Sequence, residues 1–392
     1  MRVNVPDAMR VTVSAMSRFH SFDLANEMRR RRVLARLYTS YPKTRIEPEL
    51  RADATTWLPP ILATRAALHV PAPMADELRW QALEWYDRWV AGQLPVPAAP
   101  GVFVSLSGMG LHSLRRARAL GYRTVCDRGS THIAVQNDLL ADEYARFKLP
   151  YRPIDPRVMA KELAEYEEAD LITVPSQFAA GSFTASGVSA RKLRVVPYGT
   201  DISLFHRSAP RDRVFRVLFV GTAGLRKGLP YFLDAIRPLS SLPNFEACLI
   251  GGAEDNAAPF LERYRGHFRD LGFVPRVKLS EHYSRASVLV LPSIEEGFGL
   301  VQLQAMACGL PVIATPNTGA SDLFTRHQCG FLVGLRDPDA IRERILQLYE
   351  DRALLAAMSE RAVAAMQELG GLTRYGDLAY DTYSALTAAR AA

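Results

Sequence analysis

The stretch from Val288 to Thr315, VLVLPSIEEGFGLVQLQAMACGLPVIAT, narrows the choice of fold more than any other part of the chain. It opens on an apolar, β-rich run at 288–291, stopped by Pro292, and passes through a short acidic loop to Gly297-Phe298-Gly299. Residues 300–308 then carry apolar side chains at helical spacing. Gly309 stands where a helix is stopped, and 311–314 reads as the next buried strand. Strand, glycine-containing loop, helix and strand in this order make one unit of a parallel sheet. The helix N-terminus gathers unpaired N–H groups and about half a positive charge, so the loop can hold a phosphate. With Glu296 just before it, the segment describes a site for a phosphorylated ligand.

The same alternation runs through the rest of the chain. In the first half, strands are expected at 10–15, 33–38, 101–106, 122–127, 170–174 and 193–196. Helices are expected there at 22–32, 111–120, 137–147 and 156–169, with another in PSQFAAGSFTASGV. A polar, proline-containing linker near 206–213 separates this half from a second series. That series has strands at 215–220, 247–251, 276–279, 288–291, 311–314 and 330–333, and helices at 229–236, 258–271, 300–308, from about 339, and at 375–389. The fold class is therefore α/β, with two Rossmann-like doubly wound domains, 1–206 and 207–374, and a last helix, 375–392. Residues 43–100 are proline-rich and hold all four tryptophans. Within them 76–92 fits one helix, with Leu78, Ala82, Trp85 and Trp89 on one face, which forms either a core contact or an apolar wall for a ligand. Asp337 and Asp339, either side of Pro338, read as helix N-caps rather than as a metal pair.

At 392 residues the chain is long for one core, and 48% hydrophobic with 23% charged residues is a globular balance. No apolar run reaches the ~18–20 residues of a membrane span, and the N-terminal residues lack a secretory apolar core. Cys126, Cys248, Cys308 and Cys329 show no metal or C-x-x-C spacing and read as buried thiols of a reducing, cytoplasmic compartment. Formal charge is +7. Basic clusters at 29–36 and 115–123 fit solvated faces, a peripheral contact with an anionic membrane, or attraction for a polyphosphate ligand. No recognition motif for nucleic acid accompanies them.

ADLITVPSQF, RVVPYGTD, LFVGTAGLRKG, LGFVPR and the 288–315 segment follow one another in an order that resembles the retaining glycosyltransferases of family 4. The resemblance covers nearly the whole chain, weakly over 43–100. It implies the GT-B architecture, two Rossmann-like domains facing across a cleft with the last helix returning to the first. It also implies a nucleotide-diphosphate-sugar donor held mainly by the second domain, with neither metal nor cofactor, and a glycan, lipid-linked or small-molecule acceptor on the first.

Residue by residue, Lys227 matches the family's Lys-Gly, and Arg226 beside it is expected to take the place of an arginine the family has where this chain has Thr222. These cations would stabilise the departing diphosphate, with Gly299 and Leu300 at the helix tip adding fixed N–H groups. Glu296 matches the first acid of the family's Glu-x7-Glu pattern, assigned to the donor sugar's hydroxyls, and Glu295 is expected to face solvent. The second acid is replaced by Gln304, which offers the ribose one neutral acceptor and a donor. Phe273 and Val274 match the loop that reads the base. In the first domain, His132 is expected at a strand end facing the cleft, near the donor sugar, and Arg18 and His20 are candidates for the acceptor. The paired glycines the family often has in that first loop are absent here. A front-face, retaining transfer is expected. Two other functions suit the same fold: a nucleotide-sugar epimerase, for which His132 would be the acid/base, and a non-catalytic GT-B partner subunit.

Overall fold

The computed structural model describes residues 9–388. The expected domain limits at 1 and 392, and the last expected helical residue, Ala389, lie outside them. The first half comprises β1 (Arg10–Ser14), α1 (His20–Arg30), β2 (Leu34–Thr39), β3 (Ala54–Thr56), α2 (Pro59–Ala66), α3 (Ala72–Gln93) and β4 (Gly101–Leu106). It continues with α4 (Leu111–Ala119), β5 (Arg123–Asp127), α5 (Ile133–Arg146), α6 (Pro156–Glu168), β6 (Leu171–Val174), α7 (Gln177–Ala185) and β7 (Leu193–Val195). The second half holds β8 (Phe215–Val220), α8 (Leu229–Ile236), β9 (Phe245–Ile250), α9 (Ala258–Arg263), β10 (Arg269–Asp270), α10 (Arg276–Arg285) and β11 (Val288–Leu291). After these come α11 (Leu300–Ala307), β12 (Val312–Ala314), α12 (Ala320–His327), β13 (Gly330–Leu332), α13 (Pro338–Glu350), α14 (Arg352–Leu369) and α15 (Gly371–Ala388).

The strands form two wholly parallel sheets, β3-β2-β1-β4-β5-β6-β7 and β10-β9-β8-β11-β12-β13. Parallel strands covered on both faces need apolar residues throughout, and β4 and β11 are buried at every position. In each sheet the chain order reverses once, between β1 and β4 in the first and between β8 and β11 in the second. Doubly wound sheets open a ligand crevice there, outside the carboxyl ends of the strands. The fold thus selects four loops: those after β1, β4, β8 and β11.

Phe205 packs in the core of the second sheet. The last helix crosses back, α15 lying on α1, where Arg31 donates to the Thr373 carbonyl (2.8 Å) and to Asp377 (2.5 Å). Chain therefore passes between the halves twice, near Gly199 and near Gly371, and the two crossings touch: a Cβ on Gly199 would overlap the Gly371 carbonyl.

Three expectations are corrected. Residues 258–271 do not form one helix, because Gly266 takes a left-handed φ of +90° and the chain turns into the short edge strand β10. Residues 276–279 are helical, not a strand. Pro275 stands just before α10, and its buried positions Ser280, Tyr283 and Ser284 recur at helical spacing while Val277 is exposed. In α3 the buried face is Ala75, Ala82, Tyr86 and Val90, leaving Trp85 exposed and Leu78 and Trp89 half-buried. Asp337 caps α13, accepting from the Ala340 N–H at 2.9 Å. All four cysteines are buried and unpaired, and burial raises their thiol pKa values. No helix among the described residues is long and apolar enough to cross a membrane.

Candidate functional site

The loops after β8 and β11 lie against each other, backbone to backbone. Ile294 N–H donates to the Arg226 carbonyl at 2.9 Å. Gly228, at φ +70°, leaves no room for a side chain, since a Cβ there would overlap the Pro292 carbonyl. This contact brings the two expected cations to the acidic loop. Lys227 Nζ pairs with the Glu296 carboxylate, and Arg226 Nη1 lies 3.7 Å from the same oxygen. Arg226 Nη1 also donates to the Glu295 carbonyl at 2.9 Å and to its carboxylate at 3.3 Å. Burial would push the Glu296 carboxyl up, but the Lys227 and Arg226 cations outweigh it and hold it below the usual range. Gly299, at φ +82°, turns the chain into α11, so that helix tip opens on the same loop.

Glu295 does not face solvent. It has no exposed surface, and its carboxylate reaches across to the first half. Oε1 accepts from Ser130 Oγ (2.5 Å), Thr131 N–H (3.2 Å) and Thr131 Oγ1 (2.9 Å), and Oε2 from Gln136 Nε2 (3.1 Å). Ser176 Oγ adds a bond to the Gly297 carbonyl at 2.6 Å, and a Cβ on Gly297 would overlap the Gly129 carbonyl. The loop after β5 therefore sits directly on the loop after β11. Sequence reasoning missed this because two adjacent glutamates carry no mark of which one turns inward.

Gln304, on α11, is half-buried, with its Oε1 accepting from Tyr283 Oη at 3.2 Å. Val274 is half-buried against the second core, whereas Phe273 is 82% exposed, a large apolar surface at the rim of the β10–α10 loop.

His132 is turned away from the expected position. It is 5% exposed, and its ring packs against Tyr166 of α6 and Phe183 of α7 at centroid distances of 5.2 and 5.1 Å. Its Nδ1 has no hydrogen-bond partner among the described residues, and burial, then the Arg128 cation, lowers its pKa. Such a ring belongs to helix packing beside the cleft loop, not to the loop's own surface. His20 stands in its place at the crevice. At the start of α1 its Nε2 lies 2.7 Å from Asp127 Oδ2 and 3.2 Å from Tyr198 Oη, and its ring stacks on Tyr198. Asp127 Oδ1 also accepts from Thr173 Oγ1 (2.8 Å), and Tyr198 in turn packs on Phe298 of the acidic loop. The sequence signal for Asp127 was its place as the last residue of a strand beside a crevice. Arg18 is farther out, 37% exposed and paired with Glu47.

The loop after β4 is fixed from below. Glu165, fully buried, accepts from the Gly108 and Gly110 amides, both at 2.6 Å. Burial and neighbouring Glu162 push its carboxyl up to about 8. Glu84, Asp87 and His112 come close enough to share a cation, and the Lys161 ammonium, 2.6 Å from Glu84 and 2.7 Å from Asp87, is already among them.

Residues 203–364 match a family model described as "Glycosyl transferases group 1". Among curated relatives, the D-inositol 3-phosphate glycosyltransferase of Corynebacterium jeikeium is 30% identical over 257 residues, 59% of this chain and 60% of that protein. The O-antigen chain mannosyltransferase B of Escherichia coli is 32% identical over 158 residues, 38% and 41% of the two chains. The chain spans about half the length of the curated relatives it matches. In structure it is similar to a sucrose-phosphate synthase from Thermosynechococcus elongatus (TM-score 0.75, 20% identity, 97% of this chain and 100% of that one). It is also similar to Anabaena HepE in complex with UDP-glucose (TM-score 0.68, 18% identity, 96% and 99%). With two parallel Rossmann-like sheets and these neighbours, the fold is GT-B.

Proposed function

We propose that this chain is a glycosyltransferase that moves a sugar from a nucleotide-diphosphate sugar to an acceptor hydroxyl, with retention at the anomeric carbon. One observation carries the reading: Arg226 and Lys227 meet Glu296 where the loops after β8 and β11 join, at the switch point of the second sheet. In the donor-bound enzyme the diphosphate takes the two cations and the α11 tip, and Glu296, released from Lys227, accepts from the sugar's hydroxyls. Charge grows on the diphosphate as the C1–O bond breaks, and fixed cations act most strongly at that moment. Arg226 and Lys227 supply the positive charge, so the step needs no metal or cofactor. The acceptor oxygen bonds to C1 from the face the diphosphate leaves, and its proton passes to a departing phosphate oxygen.

Gln304 holds the ribose, Phe273 and Val274 flank the base, and Arg18 and His20 line the acceptor side. UDP and UDP-glucose are the first donors to test, since the similar HepE structures contain them. The acceptor is a glycan, a lipid-linked sugar or a small molecule, and the enzyme works in the cytoplasm, touching an anionic membrane through its basic clusters.

A second reading, inverting displacement, is favoured by the His20–Asp127 pair, because a carboxylate that orients an imidazole equips it as a general base. The test is a thermal-shift panel of nucleotide sugars, followed by NMR of the product's anomeric configuration. A stabilising donor whose sugar appears in a product of unchanged configuration supports retention. A product of opposite configuration, lost in His20→Ala, replaces retention with the second reading. No stabilisation by any nucleotide sugar, or an epimer formed from donor alone, overturns the transferase.

A further inference from the structure

Glu295 is a carboxylate with no solvent access whose partners come from both halves of the molecule. Four of its hydrogen bonds come from the first half: three from Ser130 and Thr131 in the loop after β5, and one from Gln136 in the first turn of α5. The fifth comes from Arg226, in the loop after β8. The loop that carries Glu295 meets the first half at Gly129 without side chains between them, so the two backbones are as close as they can come. Hydrogen bonds to an ionised acceptor are about twice as strong as neutral ones. Moving the halves apart strips four of the five at once, and only Arg226 moves with Glu295.

We propose that Glu295 is a positioning residue that makes closure of the cleft and aiming of Arg226 a single event. This rests on the transferase reading above. When the first half arrives, the Ser130–Thr131 loop fixes one carboxylate oxygen and Gln136 binds the other. The second oxygen also meets the Arg226 guanidinium, whose Nη1 is held to the Glu295 carbonyl at 2.9 Å. The cation is thereby set beside Glu296 only when the acceptor-bearing half is in place. An enzyme built this way withholds part of its leaving-group stabilisation until both substrates are enclosed, which keeps the donor from being spent on water.

The experiment uses the full chain with cysteines introduced at Leu68 (71% exposed, first half) and Arg265 (side chain 78% exposed, second half), labelled for distance measurement. The four native thiols are buried and stay unlabelled. Glu295→Gln keeps the shape but replaces an acceptor with an N–H donor facing donors. It is expected to lengthen or broaden the label separation and to lower kcat by about 100-fold, the scale set by an ångström of misplacement. The Kd for UDP, measured by calorimetry, should stay within threefold. Ser130→Ala combined with Thr131→Val, on the other half, should act in the same direction and keeps the test available if Glu295→Gln does not fold. An unchanged separation in these variants overturns the inference. So does a widened separation with kcat within threefold of the parent, or a kcat loss matched by loss of UDP affinity at unchanged separation. If the parent turns over no nucleotide sugar, the transferase reading fails, and the labels alone decide whether Glu295 holds the halves together.

Discussion

Replacing Lys227 with methionine removes the ammonium that pairs with Glu296 while keeping most of the side chain's bulk. A unit charge about 4 Å from a diphosphate oxygen is worth roughly 4 kcal/mol at an effective dielectric of 20. Part of that is offset, because in the resting protein the same ammonium already neutralises Glu296 and must leave it. Arg226, 3.7 Å from the Glu296 carboxylate, keeps some of the remainder. About 3 kcal/mol is left, which agrees with the cost of deleting one fixed donor to a developing oxyanion and corresponds to roughly 150-fold in kcat/KM. The assay is release of nucleoside diphosphate under single-turnover conditions, with Lys227→Arg as the charge-conserving control. Stability gives a second readout. The Glu296 carboxyl is depressed in the folded parent, so it stabilises the fold above its unfolded value near 4.5 and ceases to as pH falls through its folded value. In the variant it rises. The stability gap between parent and variant is therefore full at pH 7 and closes below about pH 4.5. A folded Lys227→Met enzyme within fivefold of the parent refutes the assignment of leaving-group stabilisation to this side chain.

Gln304→Glu should keep turnover and lower the donor KM about tenfold, the worth of roughly 1–1.5 kcal/mol from charge-assisted bonds to ribose, with Tyr283 still donating; lost turnover at unchanged affinity would show that Gln304 does something else. Gly297→Ala should wedge the halves apart at Gly129 and lower kcat, and a variant with parental label separation would show that the loops can yield there. Lys161→Met removes the ammonium that Glu84 and Asp87 share, leaving Glu84 its contacts with Arg88 and His112 and Asp87 its amide and hydroxyl donors, and denaturant titration should show a loss of about 3 kcal/mol. Burial would raise the Glu84 carboxyl, but Lys161 and His112 bring it down to about 2. Its share of stability is then complete above pH 4.5 and disappears toward pH 2, so a loss that persists unchanged at pH 2 would refute the ion-pair account.

The strands at the centre of both sheets were legible because parallel strands buried on both faces demand apolar runs, and glycines and prolines punctuate them, whereas the short or edge elements β3, α2, β10 and α12 carry no such run. Residues 276–279 misled because four residues, VKL with its neighbour, cannot distinguish a period of 2 from one of 3.6, whereas Tyr283 and Ser284, farther along, could. The meeting of Arg226, Lys227 and Glu296 was implied by the family resemblance, and the sheet topology, with β8 beside β11, brings those loops together. Glu295 was not legible, because its role depends on which side of the loop the other domain lies, and no local pattern carries that information. The direction of the His132 ring was not legible either: its backbone follows β5, and its ring fills the apolar gap between Tyr166 and Phe183 of the same half.

The two places where chain crosses between the halves lie side by side, Gly199 against Gly371. A body tethered at a single point swivels freely, and each added tether takes away some of that freedom. Neighbouring tethers leave essentially one freedom, a swing about the line through them, and suppress sliding. Substrate entry then becomes a matter of angle alone, and the rim farthest from those glycines travels most for any given swing.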